Sequence, residues 1–299
     1  MQKEKHILLI DGMALLFRSY FATAITGQFM VNSNGIPTNA IQGFLRHALT
    51  AINQIQPTHV AVCWDMGQKT FRNDLYNGYK ANRQQPPVEL IPQFDLVKEI
   101  AEKFSFVNIG LSGYEADDCI GTIAKSVHDS SKVTIVSGDK DLLQLLDDDI
   151  EIWLIKKGYG TYERFDRFRF MEEYEITPAQ FIDVKALMGD PSDGFPGVKG
   201  IGEKTAFKLI REYSTIEGII QNINKLTPSL AKKIEQDMEM LHLSRNLAAI
   251  HCEVPLEGLT TFGEWNGVPS FASAAIDEYE LRAVKRFLSD RLDAAGDSK

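Results

Sequence analysis

Five short apolar runs, spaced through the first half of the chain and separated by longer amphipathic stretches, do most to limit the folds open to this sequence. They are HILLI (6–10), HVAVCW (59–64), FVNI (106–109), VTIVS (133–137) and IEIWLI (150–155). Each is apolar and rich in β-branched residues, which predicts strands. Stretches such as NAIQGFLRHALTAINQI (39–55) and IPQFDLVKEIAEKF (91–104) read as helices between them. That alternation predicts an α/β fold: a central, mostly parallel sheet flanked by helices. From Glu172 onward the strands give way to short helices punctuated by Gly and Pro. This divides the chain into an α/β domain over 1–175 and a helical module over 176–299. A last helix, AIDEYELRAVKRFLSDRL (275–292), is expected to pack back on the body.

In open parallel sheets, ligands bind beyond the carboxyl ends of the strands. Asp11 follows the first run, Asp65 the second, and the SGDKD segment puts Asp139 and Asp141 after a later one. One Asp after a strand is an ordinary helix N-cap. The segment GYEADDCIGTIA (113–124), however, crowds Glu115, Asp117 and Asp118 before an apolar helical run. Ser112 followed three residues on by Glu115 fits a capping box there. Asp190 and Asp193 in GDPSDG bracket a Pro-Ser turn, which also favours Asp on its own. Separate caps and turns account for each group but poorly for all of them together. The nine carboxylates equal the chain's formal excess of acid over base, 41 minus 32. Convergent carboxylates repel one another unless cations sit among them. Magnesium, with manganese as a substitute, is the hard ion such oxygens prefer. Two such ions about 4 Å apart activate a water and stabilise the leaving oxygen of a phosphodiester, with no protein nucleophile.

Phosphate chemistry needs cations, and KTFRNDLYNGYKANR (69–83) interleaves Lys69, Arg72, Lys80 and Arg83 with Phe71, Tyr76 and Tyr79. Basic groups hold phosphates and aromatic rings stack bases in single-stranded nucleic acid. GVKGIGEKTAFKLIR (197–211) nearly reproduces a P-loop, but Glu203 intrudes and no strand precedes it, so an ATPase is excluded. Its glycines instead suit a tight turn between two helices that grips a DNA phosphate, with Lys199, Lys204 and Lys208 adding charge. The formal charge of -9 argues against a generally basic binder. Three distant cysteines and scattered histidines leave no disulfide framework and no zinc-hydrolase site. No secretory pattern opens the chain and no span approaches the roughly 18 apolar residues of a membrane helix, so a cytoplasmic protein is expected.

The segments LLIDGMALLFRSYFA, FRNDLYNGYKANR, GYEADDCIGTIA, VSGDKDLLQLL and ALMGDPSDGFPGVKGIGEKTA resemble the bacterial 5′-nuclease family. Its members are flap-endonuclease relatives found as the N-terminal exonuclease of DNA polymerase I and as stand-alone proteins. The matches keep the family's order across most of residues 7–211. The resemblance implies a magnesium-dependent, structure-selective 5′-3′ exonuclease and flap endonuclease that trims flaps and RNA primers in replication and repair. It implies a helical arch near 69–90, two metal clusters and a helix-three-turn-helix DNA clamp. Asp11, Asp65, Glu115, Asp117 and Asp118 would serve the catalytic cluster, and Asp139, Asp141, Asp190 and Asp193 the second. Lys80 and Arg83 would meet the scissile phosphate. Arg18, Lys69, Arg72, Tyr79, Lys199, Gly200, Gly202, Lys204, Thr205 and Lys208 complete the expected DNA contacts, with potassium in the Gly197 to Gly202 turn. The expected partners are branched or 5′-ended DNA and RNA-DNA hybrids, met by a monomer with no polymerase following.

One departure stands out: Gly194-Phe195 replaces the more usual Asn-Ile pair, which bears on loop geometry rather than on either Asp. Two other functions compete. A branched-DNA binding module would bind without turnover. An α/β phosphatase would want Asp-x-Asp after the first strand, where Gly12 and Met13 follow Asp11.

Overall fold

The computed structural model describes residues 4–24, 27, 29–67, 69–127, 130–258 and 263–296, with side chains described as far as residue 290. Strand β1 (His6–Asp11) leads into α1 (Gly12–Ala24) and α2 (Asn39–Ile55). Then come β2 (His59–Cys63), α3 (Phe71–Leu75), α4 (Gln93–Lys103), β3 (Val107–Ile109), α5 (Ala116–Val127) and β4 (Lys132–Ser137). A hairpin of β5 (Ile150–Ile155) and β6 (Tyr162–Phe165) closes the sheet, followed by α6 (Arg167–Tyr174). The rest is helical: α7 (Phe181–Met188), α8 (Glu203–Tyr213), α9 (Ile216–Gln221), α10 (Pro228–Gln236), α11 (Met238–Ala248), α12 (Ala272–Glu278) and α13 (Arg282–Gly296).

The six-stranded sheet has the order β3-β2-β1-β4-β5-β6, and all neighbours are parallel except β5 and β6. The central strand β1 shows why its sequence is uniformly apolar. Ile7 and Leu9 enter a core with α5 and the helices from α7 to α11, while Leu8 and Ile10 enter a second core with α1, α2, α4, α12 and α13. A strand covered on both faces cannot alternate with polar residues. The register sets Asp11 opposite Cys63, so the acidic ends of β1 and β2 finish at one edge.

The structure corrects three expectations. Strand β6 was not foreseen, because YERF is a polar edge strand paired on one side only. The single helix over 275–292 is two, broken where Glu280 takes φ 52° and Leu281 turns inward to complete burial. The arch segment is helical only over α3 and continues as turns, since Gly78, the Pro86-Pro87 pair and Pro92 interrupt helix formation.

Candidate active site

The carboxylates at the strand ends do cap helices, as their positions suggest, and they also repel one another. Asp11 is buried; its Oδ1 accepts the Ala14 N–H at 3.0 Å and its Oδ2 the Ser137 hydroxyl at 2.6 Å. Asp65 accepts the Ala116 N–H at 2.7 Å and so fixes the start of α5 beside the end of β2. The Ser137 hydroxyl in turn accepts the Asp139 N–H, and Asp139 Oδ1 accepts the Asp141 N–H. The structure shows no capping box between Ser112 and Glu115: α5 begins at Ala116, and Asp118 accepts the Glu115 N–H at 3.0 Å, which is half of such a box one turn on.

Crowding shows in the acidities. Burial, reinforced by Asp65 and Asp139, pushes Asp11 up to about 6 despite its two hydrogen bonds. Burial and the Asp11 and Asp139 charges carry Asp117 well above the usual carboxylate range. Burial and Asp139 push Asp141 up to about 7, with Lys185 opposing. Burial would raise Asp190 as well, but hydrogen bonds from Lys185 and Ser192 hold it below its ordinary value.

Arch residues supply positive charge from the opposite wall. Lys80 Nζ lies 2.8 Å from Glu115 and 3.9 Å from Asp193, and Arg83 pairs with Asp193 at 2.9 Å. Together Tyr79, Lys80, Glu115, Asp117, Asp139, Asp141 and Asp193 line a narrow cleft of about 20 Å³, room for roughly one water. Lys185, which sequence reasoning passed over, bridges Asp141 at 2.7 Å and Asp190. Its signal was a lysine inside the apolar helical run FIDVKALM, five residues before Asp190.

Three expected contacts are corrected. Arg72 was expected to hold phosphate, but it is buried, paired in two-pronged fashion with Asp118 at 2.8 Å and donating to the Leu247 and Ala249 carbonyls. Asp118 was expected among the metal ligands. Its oxygens already accept from Arg72, from the Glu115 N–H and from the His251 N–H, so it positions the first turn of α5 instead. Tyr79 was expected to stack a base, yet it is buried with its hydroxyl 3.2 Å from both Glu115 and Asp193.

The remaining candidates lie outside the cleft. Arg18 donates to the Lys156 carbonyl and Lys69 is exposed where the arch begins. The turn joining α7 to α8 carries Gly197 and Gly200 at positive φ and ends at Gly202, the N-cap of α8. Lys199, Lys204 and Lys208 are exposed there, and Thr205 lies in the first turn of α8. The turn suits potassium poorly, since the Gly200 carbonyl already accepts Lys233 Nζ at 3.0 Å. At the carboxylate cleft the group to fit is a hard divalent cation. Among the described residues no three carboxylates converge as a ready ligand set. The donors are nevertheless all hard oxygens, and the raised pKa values of Asp11, Asp117 and Asp141 record burial together with negative charge short of compensation.

Comparison with known proteins shows the family. Residues 6–175 match the 5′-3′ exonuclease N-terminal resolvase-like domain, and residues 176–266 match the 5′-3′ exonuclease C-terminal SAM fold. The chain is 51% identical over 288 residues to the 5′-3′ exonuclease of Bacillus subtilis strain 168, covering 96% of this chain and 97% of that protein. It is 41% identical over 255 residues to DNA polymerase I of Streptococcus pneumoniae R6, covering 85% of this chain but 29% of the polymerase. Among solved structures, a complex of bacteriophage T5 flap endonuclease with DNA and metal ions matches with a TM-score of 0.67 at 23% identity, covering 98% of this chain and 100% of that one. The chain belongs to the 5′-3′ exonuclease family and is a nuclease.

Proposed function

We infer that this exonuclease hydrolyses DNA phosphodiesters with divalent metal, preferably magnesium, and selects substrates by a free 5′ end or a 5′ flap, RNA primers included. The observation that carries the reading is the cleft lined by Glu115, Asp117, Asp139, Asp141 and Asp193, from separate elements, with Asp11 close enough to raise Asp117 and with the arch cations Lys80 and Arg83 paired to Glu115 and Asp193. On this reading Asp11, Asp65, Glu115, Asp117, Asp139, Asp141, Asp190 and Asp193 hold the ions, directly or through water. Bound metal would activate the attacking water and stabilise the leaving oxygen. Lys80 and Arg83 then exchange carboxylates for the scissile phosphate, and Lys185 keeps Asp141 and Asp190 together. Residues 1–175 carry most of the chemistry, with Asp190 and Asp193 reaching the site from the start of the helical module. The module over 176–299 holds the duplex through Lys199, Lys204 and Lys208, which contact phosphate and therefore read shape rather than sequence. The T5 protein of similar fold, a flap endonuclease in complex with DNA and metal ions, supports the substrate class.

The test is cleavage of a 5′-end-labelled flap duplex by wild type and Asp117→Ala, with magnesium and with chelator. The expected result is cutting near the branch that needs metal and falls about a thousandfold or more in the variant. Tight flap binding without metal-dependent product would favour a binding module instead.

A further inference from the structure

Between the arch and the loop that carries Asp190 and Asp193, two stretches of bare backbone touch. Gly194 has φ +79°, and a Cβ built on it would lie 2.6 Å from the Gly78 carbonyl oxygen and 3.5 Å from the Lys80 nitrogen. No side chain fits there without the arch retreating. Around this contact the Lys80 N–H donates to the Asp193 carbonyl at 2.7 Å, and the Asn82 amide donates to the Pro191 carbonyl at 2.7 Å. Phe195 is buried beneath, in an apolar cluster with Tyr79, Leu247 and Ala248. Residues 76–83 are turns with no helix or sheet of their own, so these contacts hold their position. Lys80 sits at φ 54°, a conformation costly for a residue with a Cβ. The bond to the Asp193 carbonyl stabilises that conformation and delivers Lys80 Nζ to Glu115.

We propose that Gly194 and Phe195 form the seat on which the arch docks, and that Gly194 is a positioning residue for Lys80 and Arg83. The inference rests on the reading that those two cations meet the scissile phosphate. The pair that departs from the family pattern is thus the pair that brings the arch onto the second acidic loop.

The experiment compares the full chain with Gly194→Ala, Gly194→Asn, Asn82→Ala and Gly35→Ala. Gly35 has φ +77° and nothing within 4 Å of a built Cβ, so its substitution reproduces the backbone strain without the contact. Asn tolerates positive φ better than Ala does, so it separates strain from contact at position 194. Both Gly194 variants should be cut by trypsin after Lys80 and Arg83 about tenfold faster, and should lose about tenfold or more in kcat on a flap at unchanged KM. Asn82→Ala, at an exposed position that will not threaten folding, should shift both readouts about two- to threefold in the same direction. Gly35→Ala should leave both at the wild-type level. Unchanged protection of residues 80–83, restoration of wild-type values by Asn at position 194, or a rise in KM at constant kcat would each overturn the docking role. If the wild type cuts no flap, the functional reading fails, and the trypsin comparison still decides whether the arch docks here.

Discussion

Arg72 and Asp118 are almost inaccessible to solvent, and each uses nearly all its hydrogen-bonding capacity on the other and on neighbouring backbone. The pair joins three segments near the cleft: α3 at the arch base, the first turn of α5, and the chain leaving α11. Removing one member leaves a buried charge unpaired, which typically costs about 3–5 kcal/mol. Arg72→Ala should therefore lower the urea midpoint by the equivalent of about 3–5 kcal/mol of unfolding free energy. Arg72→Lys should recover only part of it, because an ammonium cannot reproduce the two parallel bonds. A midpoint within experimental error of wild type for Arg72→Ala would remove the pair from any structural role. These residues also mark where sequence reading stopped. Arg72, Tyr79 and Lys80 occur within nine residues in one basic, aromatic stretch, and nothing in their order tells which is buried. Two carboxylates side by side, Asp117 and Asp118, are equally ambiguous. In α5 they point to different neighbours, Asp117 into the repelling cluster and Asp118 onto Arg72. Lys185 was missed for the converse reason, since a lysine flanked by apolar residues reads as a solvated tip rather than a buried bridge.

The turn between α7 and α8 is built for close approach, and its neighbours constrain it. Asp237 accepts the Lys199 N–H at 2.7 Å, and Lys233 donates to the Gly200 carbonyl. The start and end of the α10–α11 junction thus hold both sides of the turn, leaving Lys204 and Lys208 on the exposed face of α8. If those two lysines each meet one phosphate, log Kd against log salt should lose about 0.9 of slope for each lysine replaced by Ala. Cleavage of bound substrate should keep its rate, because neither side chain lies near the carboxylates. A kcat loss with an unchanged salt slope would place these lysines elsewhere in the reaction. At this scale the fold was largely legible. Five strands declared themselves through β-branched runs, and the glycines at 197, 200 and 202 marked a helix-to-helix turn. What escaped were elements whose stability comes from a neighbour. Strand β6 is polar and depends on β5 for its pairing. The break before α13 depends on Leu281 finding the core and on Glu280 accepting the Ser33 N–H from a distant loop. Neither dependence leaves a local pattern.

For the molecule as a whole, an excess of negative charge sits where, on the proposed function, negative DNA is to be cut, and that conflict predicts a coupled response to pH and metal. In the unfolded chain Asp11 and Asp141 lose their protons near 3.8, whereas in the folded chain they do so near 6 and 7. Between these values the folded protein binds more protons, so these groups make it less stable as pH rises toward neutrality. Asp190 is shifted the other way, and its effect belongs to pH below the ordinary carboxylate range. His47, pushed down to about 4 chiefly by burial, adds a slope of opposite sign between about 4 and 6.5. The melting temperature in chelator alone is therefore a mixed quantity. The difference between magnesium and chelator isolates the cluster, since magnesium competes with the protons on these carboxylates and not with His47, which is buried near Arg18 and Arg46. Ligand at about a hundred times its Kd stabilises by about 2.7 kcal/mol. Scanning calorimetry at pH 5.5 and pH 8, each with chelator and with millimolar magnesium, should give a small metal-induced rise at the lower pH and a clearly larger one at the higher. Asp117→Ala should shrink the rise at pH 8 while lifting the melting temperature in chelator, because it removes one of the charges that repel. An equal rise at both pH values would mean that magnesium stabilises the chain somewhere other than this group of carboxylates, and the repulsion at Asp11, Asp117 and Asp141 would then need relief from Lys80 and Lys185 alone.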